Sequence, residues 1–439
     1  MDPLRPEDDG NPTRCTFEEC RLRILWVKAN KILPAHSGGD IRSYQILRRL
    51  ASIHELVFLS YYDGERDTEY EAELARQFPR SVCLCTGKRR LNSVGRGLDY
   101  LVRIATLVPY AASRFESLRV QEKLNTCFEE KHFDVAICDF LDATVNFPSS
   151  LAIPTVLFQH NVESEIWRRH AMTESNPVKK LLYQVEFKKM LSYEQSAVRK
   201  FHHIIAVSEH DRHLMSGWTD PARITVVPTG VDLQQYRPGP ISGAVDPLVL
   251  FVGAMDWEPN VDAAEYFCRD IWPPIQAKVP AARFRIVGRN PHRRVQKLAS
   301  SSVEVTGPVP SVVDHLRESA VVVVPLRVGG GTRLKIYEAM ATGKAVVSTS
   351  VGAEGLDVHH GQDIVLADGP VAFAGAVTAL LQDVELRRRY ERAAAALTAK
   401  YDWASIGDKF GQVLETVAGT ASRDSSRFAE MACVSNVRG

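Results

Sequence analysis

Residues 321–356 read VVVVPLRVGGGTRLKIYEAMATGKAVVSTSVGAEGL, and this stretch decides the fold class. Four valines predict a buried strand that ends at Pro325, and three glycines, Gly329 to Gly331, predict a loop. A helical segment follows, and a second buried strand begins at Ala345. A strand, a glycine loop, a helix and another strand are typical of a doubly wound α/β sheet.

The polar residues of this stretch predict a phosphate site. Glycines 329, 330 and 331 let the backbone approach a ligand with no Cβ in the way. Thr332 is placed to cap the following helix, whose first amides favour a phosphate. Arg333 and Lys335 add two cations, which suits a diphosphate, and Glu338 can accept from vicinal hydroxyls such as those of ribose. The alternative is an ordinary glycine-rich turn followed by solvated charges.

The same pattern of buried runs and helical segments extends along most of the chain. Runs of apolar residues without alternation are typical of parallel strands that helices cover on both faces. The runs are Ile24–Val27, Leu56–Ser60, Val82–Cys85, Val135–Cys138, Thr155–Phe158, Ile204–Val207, Ile224–Val227, Leu248–Val252, Phe284–Val287, Val303–Val305, Val321–Val324, Ala345–Val347 and Ile364–Leu366.

A Pro- and Gly-rich break divides these runs into two groups of similar size. We therefore predict two Rossmann-like domains, with ligands bound in the cleft between them beyond the carboxyl ends of the strands. The expected ranges are a flexible tail (1–20), a first domain (21–236), a linker (237–247), a second domain (248–400), a last helix (401–418) and a disordered tail (419–439).

Composition excludes several classes of protein. The 439 residues are 45% hydrophobic and 24% charged, which is typical of a globular protein and not of a disordered one. Lys and Arg total 54 against 53 for Asp and Glu, so nothing in the charge favours nucleic acid as a partner. Eight cysteines are too sparse for a disulfide scaffold, and the N-terminus does not resemble a secretory signal. We expect a cytoplasmic protein, and peripheral attachment to the inner face of the membrane is an alternative.

Two loops of the first domain carry further candidates. Ser37, Gly38 and Gly39 follow the first strand, so amides at the next helix start can face the same diphosphate, with Arg42 one turn on. His160 and Asn161 follow another buried strand, where a histidine can donate to substrate hydroxyls or simply hydrogen-bond within its loop. The chain has neither G-x-G-x-x-G nor Asp-x-Asp, which counts against a nicotinamide dehydrogenase and against a metal-held sugar nucleotide.

Residues 88–123 combine eight basic residues with three acidic ones and with interleaved apolar side chains. A basic amphipathic helix can lie on an anionic membrane surface. The alternative is a core-packed helix with a solvated basic face.

Taken in order, these motifs resemble the family-4 retaining glycosyltransferases over roughly residues 23–418. The resemblance rests on PAHSGGDIRSYQILRRLA (34–51), FDVAICD (133–139), FQHNVE (158–163), YEQSAVRKFHHIIAVSEHDRHLM (193–215), ITVVPTGVD (224–232), FVGAMDWEPNVDA (251–263), FRIVG (284–288) and GGGTRLKIYEAMATGKAVVST (329–349). It implies a GT-B fold, in which two Rossmann-like domains face each other and a last helix, starting near Tyr401, crosses back to the first domain.

The resemblance also implies roles for individual residues. Arg333 and Lys335 would stabilise the departing diphosphate, together with amides of Gly38 and Gly39, and His160 would touch the donor sugar. Glu338 would hold the ribose, and residues around Val309 would face the base. The nucleotide sugar is then a co-substrate, with a glycan or a lipid-linked molecule as acceptor, and neither a metal nor a cofactor is expected.

Two departures from the family pattern stand out. Many members carry two glutamates eight positions apart, but here Gly330 stands at the first position and Glu338 at the second. Many also carry Arg and Lys where this chain has Ala254 and Asn260. A nucleotide-sugar epimerase or hydrolase, or an inactive subunit that binds sugar nucleotides, therefore stays as an alternative.

Overall fold

The computed structural model describes residues 21–35, 37–88, 93–103, 106–130, 132–174, 176–239, 246–329 and 331–435. Within helices, residues 93, 94, 96, 98, 101 and 420–435 are described by their backbone alone. The predicted tail 1–20, most of the predicted linker and Gly330 lie outside the described residues.

Within these described ranges, thirteen strands form two parallel sheets, as the apolar runs predicted. The first sheet has the order β3-β2-β1-β4-β5-β6-β7 and the second the order β10-β9-β8-β11-β12-β13. The strands are β1 (Arg23–Ala29), β2 (Glu55–Tyr62), β3 (Ser81–Cys85), β4 (Val135–Asp139), β5 (Thr155–Phe158), β6 (His203–Ala206), β7 (Ile224–Val226), β8 (Leu248–Val252), β9 (Arg283–Val287), β10 (Val303–Gly307), β11 (Val321–Val324), β12 (Ala345–Ser348) and β13 (Val365–Leu366).

Helices connect the strands in both units. They are α1 (Gly38–Ile53), α2 (Thr68–Gln77), α3 (Ser93–Arg103), α4 (Tyr110–Ser113), α5 (Leu118–Glu130), α6 (Glu163–Thr173), α7 (Pro177–Lys200), α8 (Glu209–Ser216), α9 (Glu258–Tyr266), α10 (Trp272–Lys278), α11 (Arg293–Gln296), α12 (Val312–Glu318), α13 (Leu334–Ala341), α14 (Ser350–Ala353), α15 (Pro370–Gln382), α16 (Val384–Thr398) and α17 (Trp403–Ser435). No helix in the described part of the chain is both long enough and apolar enough to span a bilayer.

The central strands are buried on both faces. The four valines of β11 are at most 2% exposed, and every residue of β4 and β5 is buried. Burial of this kind removes apolar area from water at about 25 cal/mol per Å², which is why unbroken apolar runs predicted these strands correctly.

The last helix packs against the first domain, as the resemblance implied. The Phe410 ring stacks on Trp26, with 5.6 Å between centroids, and meets the edge of Phe158. The guanidinium of Arg49, on α1, donates two hydrogen bonds to Asp408. Helix α17 thereby ties the end of the second unit to the core of the first.

Helix α17 also runs past residue 418, where we predicted its end. Residues 419–435 are helical, which corrects the predicted disordered tail over that stretch. Its Ser and Arg residues suggested disorder, but no proline or glycine follows Gly419 before Ser435 to end a helix.

Replacing Phe410 by alanine should destabilise the first domain by about 3–5 kcal/mol, because a fully buried ring would leave a cavity between Trp26 and Phe158. Chemical denaturation followed by tryptophan fluorescence measures this change. Lys409→Ala, at the exposed neighbouring position, is the matched control. Equal midpoints for the two variants would contradict the packing role of α17.

Candidate functional site

Two helix starts meet across the cleft. Helix α1 begins at Gly38, and the Cα of Gly38 faces Leu334, the first residue of α13. A Cβ at Gly38 would lie 3.2 Å from Leu334 Cδ1, closer than ordinary contacts allow. The starts of the two helices thus lie next to each other, and helix starts carry partial positive charge that attracts anions.

The glycine loop between β11 and α13 is shaped by two residues with positive φ. Gly329 has φ +146° and Gly331 has φ +70°, conformations that side chains rarely tolerate. Arg333 folds back under this loop and donates from Nη1 to the Gly331 carbonyl. Its side chain is 5% exposed, and burial lowers its pKa to about 10, so it is charged at neutral pH.

Lys335 follows Arg333 by two residues and is half-buried. Its Nζ donates to Asn260 Oδ1 at 2.9 Å and lies 4.8 Å from the centre of the Phe251 ring. Burial and then the charge of Arg333 lower the Lys335 pKa to about 7, although Glu338 opposes the shift. Asn260, which stands where many family members have a lysine, therefore orients the remaining lysine.

Glu338 lies one helical turn beyond Lys335. Burial raises its pKa, while a hydrogen bond from the Tyr236 hydroxyl and the charge of Lys335 act in the opposite direction. Tyr236 is the last residue that we assign to the first domain. The Glu338 carboxyl group, which was predicted to hold a ribose, thus interacts with Tyr236 before the interdomain connection and with Lys335 after it.

His160 is buried with both ring nitrogens engaged. Arg42 Nη1 lies 2.9 Å from Nδ1, and Asp139 Oδ1 lies 2.7 Å from Nε2. A guanidinium can only donate, so Nδ1 accepts and the proton sits on Nε2, which donates to Asp139. Burial lowers the pKa of His160 to about 3, so the imidazole is neutral at pH 7. Its main-chain carbonyl, not its ring, faces Gly331.

A buried network of charges fixes this histidine. Asp139 accepts from Trp26 Nε1 at 3.0 Å and lies 3.7 Å from Lys28 Nζ. Burial opposes ionisation, but the Lys28 charge and the His160 hydrogen bond keep the Asp139 pKa below its usual value. The aspartate therefore stays negative beside two cations, Lys28 and Arg42.

Phe140 explains why residue 39 is glycine. Phe140 has φ 70° and ψ 152°. This backbone conformation is strained for any residue with a side chain, and the strain costs about 1–3 kcal/mol. Its ring stacks on His160 with 3.6 Å between centroids, and Lys28 Nζ lies 4.0 Å from its centre. A Cβ at Gly39 would collide with this ring. The sequence predicted Gly39 as an amide donor but gave no sign of this steric demand.

The structure corrects the predicted role of Thr332 as a helix cap. Arg333 occupies the N-cap position of α13, and its side chain makes no capping hydrogen bond. Thr332 Oγ1 instead accepts from Arg42 Nη2, so it joins the two domains. Arg42 is 2% exposed, and burial lowers its pKa to about 10.

Asn161 and Val309 were also predicted as site residues. Asn161 contacts the loop next to Gly331, and it forms a hydrogen bond that lowers the pKa of Glu163. Val309 follows β10, the edge strand of the second sheet, and packs partly against the core. Among the described residues, no three His, Cys, Asp or Glu side chains cluster in a way that could hold a metal ion.

Two carboxyl groups of the first domain also border this end of its sheet, and sequence reasoning missed them. Asp142 follows β4 and Glu163 begins α6. Burial raises the Asp142 pKa to about 6, and burial together with Asp142 and Glu194 raises the Glu163 pKa to about 8. Glu163 is thus mostly protonated at pH 7 and can donate a hydrogen bond.

Comparison with known proteins identifies the family. A model described as Glycosyltransferase Family 4 matches residues 38–235, and one described as Glycosyl transferases group 1 matches residues 246–383. An uncharacterized 44.6 kDa protein in the cps region of Klebsiella pneumoniae is 23% identical over 369 residues, which cover 80% of this chain and 89% of that protein.

A second relative has a named activity. The phosphatidyl-myo-inositol mannosyltransferase of Mycobacterium leprae is 28% identical over 207 residues, 45% of this chain and 54% of that enzyme. The chain thus matches about half the length of this mannosyltransferase.

A solved structure, Anabaena HepE in complex with UDP and glucose, superposes with a TM-score of 0.61 at 15% identity. The match covers 90% of this chain and 100% of that one, and at this identity it supports the fold alone. With both domains matched by family models and the same two-domain architecture, the chain belongs to the family-4 glycosyltransferases of the GT-B type.

Proposed function

We propose that this glycosyltransferase moves a sugar, with retention, from a nucleoside-diphosphate sugar to a glycan or lipid-linked acceptor. The observation that carries the proposal is the meeting of the α1 and α13 helix starts beside two cations, the buried Arg333 and the half-buried Lys335. This place combines fixed positive charge with low access to water, which is what a departing diphosphate requires.

The proposed reaction replaces one bond at the anomeric carbon of the donor sugar by another. The bond to the diphosphate breaks, a bond from the acceptor oxygen forms on the same face, and the acceptor proton leaves with the released diphosphate. Arg333 and Lys335 stabilise the negative charge that develops on the leaving group, so the proposal includes no metal.

The partners of the reaction follow from the surroundings of the site. Glu338, held by Tyr236, is proposed to take the ribose hydroxyls, and the backbone near Val309 the base. The named relatives support polyhydroxylated partners, since one is a phosphatidyl-myo-inositol mannosyltransferase and one neighbour was solved with UDP and glucose. The relative from a cps region is compatible with a role in cell-surface polysaccharide synthesis.

Arg333→Ala and Lys335→Ala should each raise the barrier for transfer by about 2–4 kcal/mol, on the scale of removing one preorganised charge donor. The measurement is kcat on a panel of UDP-, GDP-, ADP- and dTDP-sugars offered with glycan and lipid-linked acceptors. Arg327→Ala is the matched control, because this nearby arginine pairs with Asp262. Normal rates in both variants would refute the leaving-group role, and turnover without any acceptor would indicate an epimerase or hydrolase.

Binding of a nucleoside diphosphate should take up a proton at about pH 8 and almost none at about pH 6. Lys335 has a pKa of about 7 without ligand, so it is largely neutral at the higher pH, and an anion favours its charged form. Calorimetry in two buffers of different ionisation heat counts the protons. Lys335→Arg, which stays charged, should bind without uptake, whereas uptake equal to that of the unmodified protein would contradict the assignment.

We further propose that the region 88–123 attaches the enzyme to an anionic membrane surface, where lipid-linked acceptors lie. Three of its apolar side chains are strongly exposed, namely Val102 at 77%, Leu107 at 91% and Leu118 at 75%. Exposed apolar side chains beside basic ones are typical of interfacial segments. Arg89 and Arg90 lie outside the described residues, and of Arg96 only the backbone is described.

Reversing the charge of Arg89, Arg90 and Arg96 together should release the protein from vesicles of anionic lipid at low salt, as measured by co-sedimentation. Arg293→Glu, an exposed charge reversal in the second domain, should leave binding unchanged. Absence of binding by the unmodified protein would remove the membrane proposal without affecting the proposed reaction.

A further inference from the structure

Arg169, on α6 of the first domain, reaches across the cleft to the glycine loop of the second. Its Nη1 donates to the main-chain carbonyl of Gly329 at 2.6 Å and to Glu354 Oε2 at 2.6 Å. Its Nη2 donates to Glu354 Oε1 at 2.7 Å. The two side chains are 19% and 25% exposed, so this bidentate pair is largely withdrawn from water.

The Arg169 guanidinium is also hydrogen-bonded to a residue of its own helix. Arg169 Nε donates to Glu165 Oε1 at 3.1 Å, one turn earlier on α6. Glu354 in turn lies 3.6 Å from His210 Nε2, another residue of the first domain. An arginine fixed at its Nε and paired through both terminal nitrogens has one orientation, which a flexible lysine could not reproduce.

The glycine loop is therefore pinned at two carbonyls by two arginines from different domains. Gly329 is held by Arg169 of the first domain, and Gly331 is held by Arg333 of the second. Gly329 and Gly331 both have positive φ, so the sequence leaves the loop conformationally free unless contacts fix it. Of these two arginine contacts, the Arg169 contact is the one that joins the two domains.

We propose that Arg169 is a positioning residue of the donor site, which fixes the glycine loop when the domains close, through Glu354 and the Gly329 carbonyl. We call Arg169, Glu354 and the Gly329 carbonyl together the Arg169 bridge. The inference rests on the proposed function for its kinetic consequence and on the structure alone for its effect on the loop. Because the bridge favours the closed, binding-competent arrangement, its loss should weaken donor binding in proportion to the closed fraction lost.

The first test needs no donor. Amide hydrogen exchange of the ligand-free protein should be about tenfold faster in residues 327–332 for Arg169→Ala than for the unmodified protein, because the loop loses its fixed partner. Arg168→Ala is the matched control, since Arg168 pairs with Glu165 on its own helix. Unchanged loop exchange in Arg169→Ala would overturn the proposal.

A variant series separates the bridge from general destabilisation. Arg169→Lys keeps the charge without the bidentate geometry, so it should lie between the unmodified protein and Arg169→Ala even if the alanine variant folds poorly. The double variant Arg169→Ala/Glu354→Gln should show nearly the same loop exchange rate as Arg169→Ala alone, because both substitutions remove the same interaction. Fully additive effects on loop exchange would show that the two residues act separately, against the proposal.

The kinetic test uses the panel of UDP-, GDP-, ADP- and dTDP-sugars. Arg169→Ala should raise the donor KM about tenfold or more, leave the acceptor KM unchanged, and recover partly in Arg169→Lys. If the unmodified protein turns over none of these donors, the proposed function fails while loop exchange still tests the bridge. If the unmodified protein is active and Arg169→Ala matches Arg168→Ala in both assays, the bridge fails and the function stands.

Discussion

The convergence of two helix starts at Gly38 and Leu334 is the constraint on which the rest of the site depends. Helix starts carry partial positive charge, and four cationic side chains surround these two. Lys28 pairs with Asp40 in the first turn of α1, Arg42 donates to Thr332, and Arg333 and Lys335 stand at the start of α13. Such a concentration of positive charge in a poorly solvated cleft is unfavourable without an anion. The protein offsets part of it with Asp139 and Glu338 and lets Lys335 lose its proton more easily than usual.

The two domains hold their site residues in different ways. The Asp139–His160–Arg42 network is fully buried, and a strained Phe140 ring closes it from the side. On the second domain, Arg333 binds the Gly331 carbonyl and Arg169 binds the Gly329 carbonyl. The contacts of the first domain are therefore made between buried side chains, whereas those of the glycine loop are made through its main chain.

The departures from the family pattern make sense in this setting. Glycine stands at position 330 where many members have a glutamate, so one negative charge fewer is present, and Ala254 and Asn260 stand where many have Arg and Lys, so two positive charges fewer are present. Asn260 accepts a hydrogen bond from Lys335, whose pKa lies near neutrality. The net change is one positive charge fewer, and Arg333 and Lys335 carry the remaining positive charge next to the glycine loop.

The sequence by itself determined the fold class and the strands seen in the described residues, and it predicted candidate residues for the cleft. It could do so because unbroken apolar runs report burial on both faces of a parallel sheet, and glycine loops after strands mark ligand-facing edges. Only the tertiary structure showed that Thr332 pairs with Arg42, that both nitrogens of His160 are engaged, and that Arg169 reaches Glu354. These contacts join residues 21 to 290 positions apart, and side-chain pairs formed between distant elements leave no local pattern in the chain.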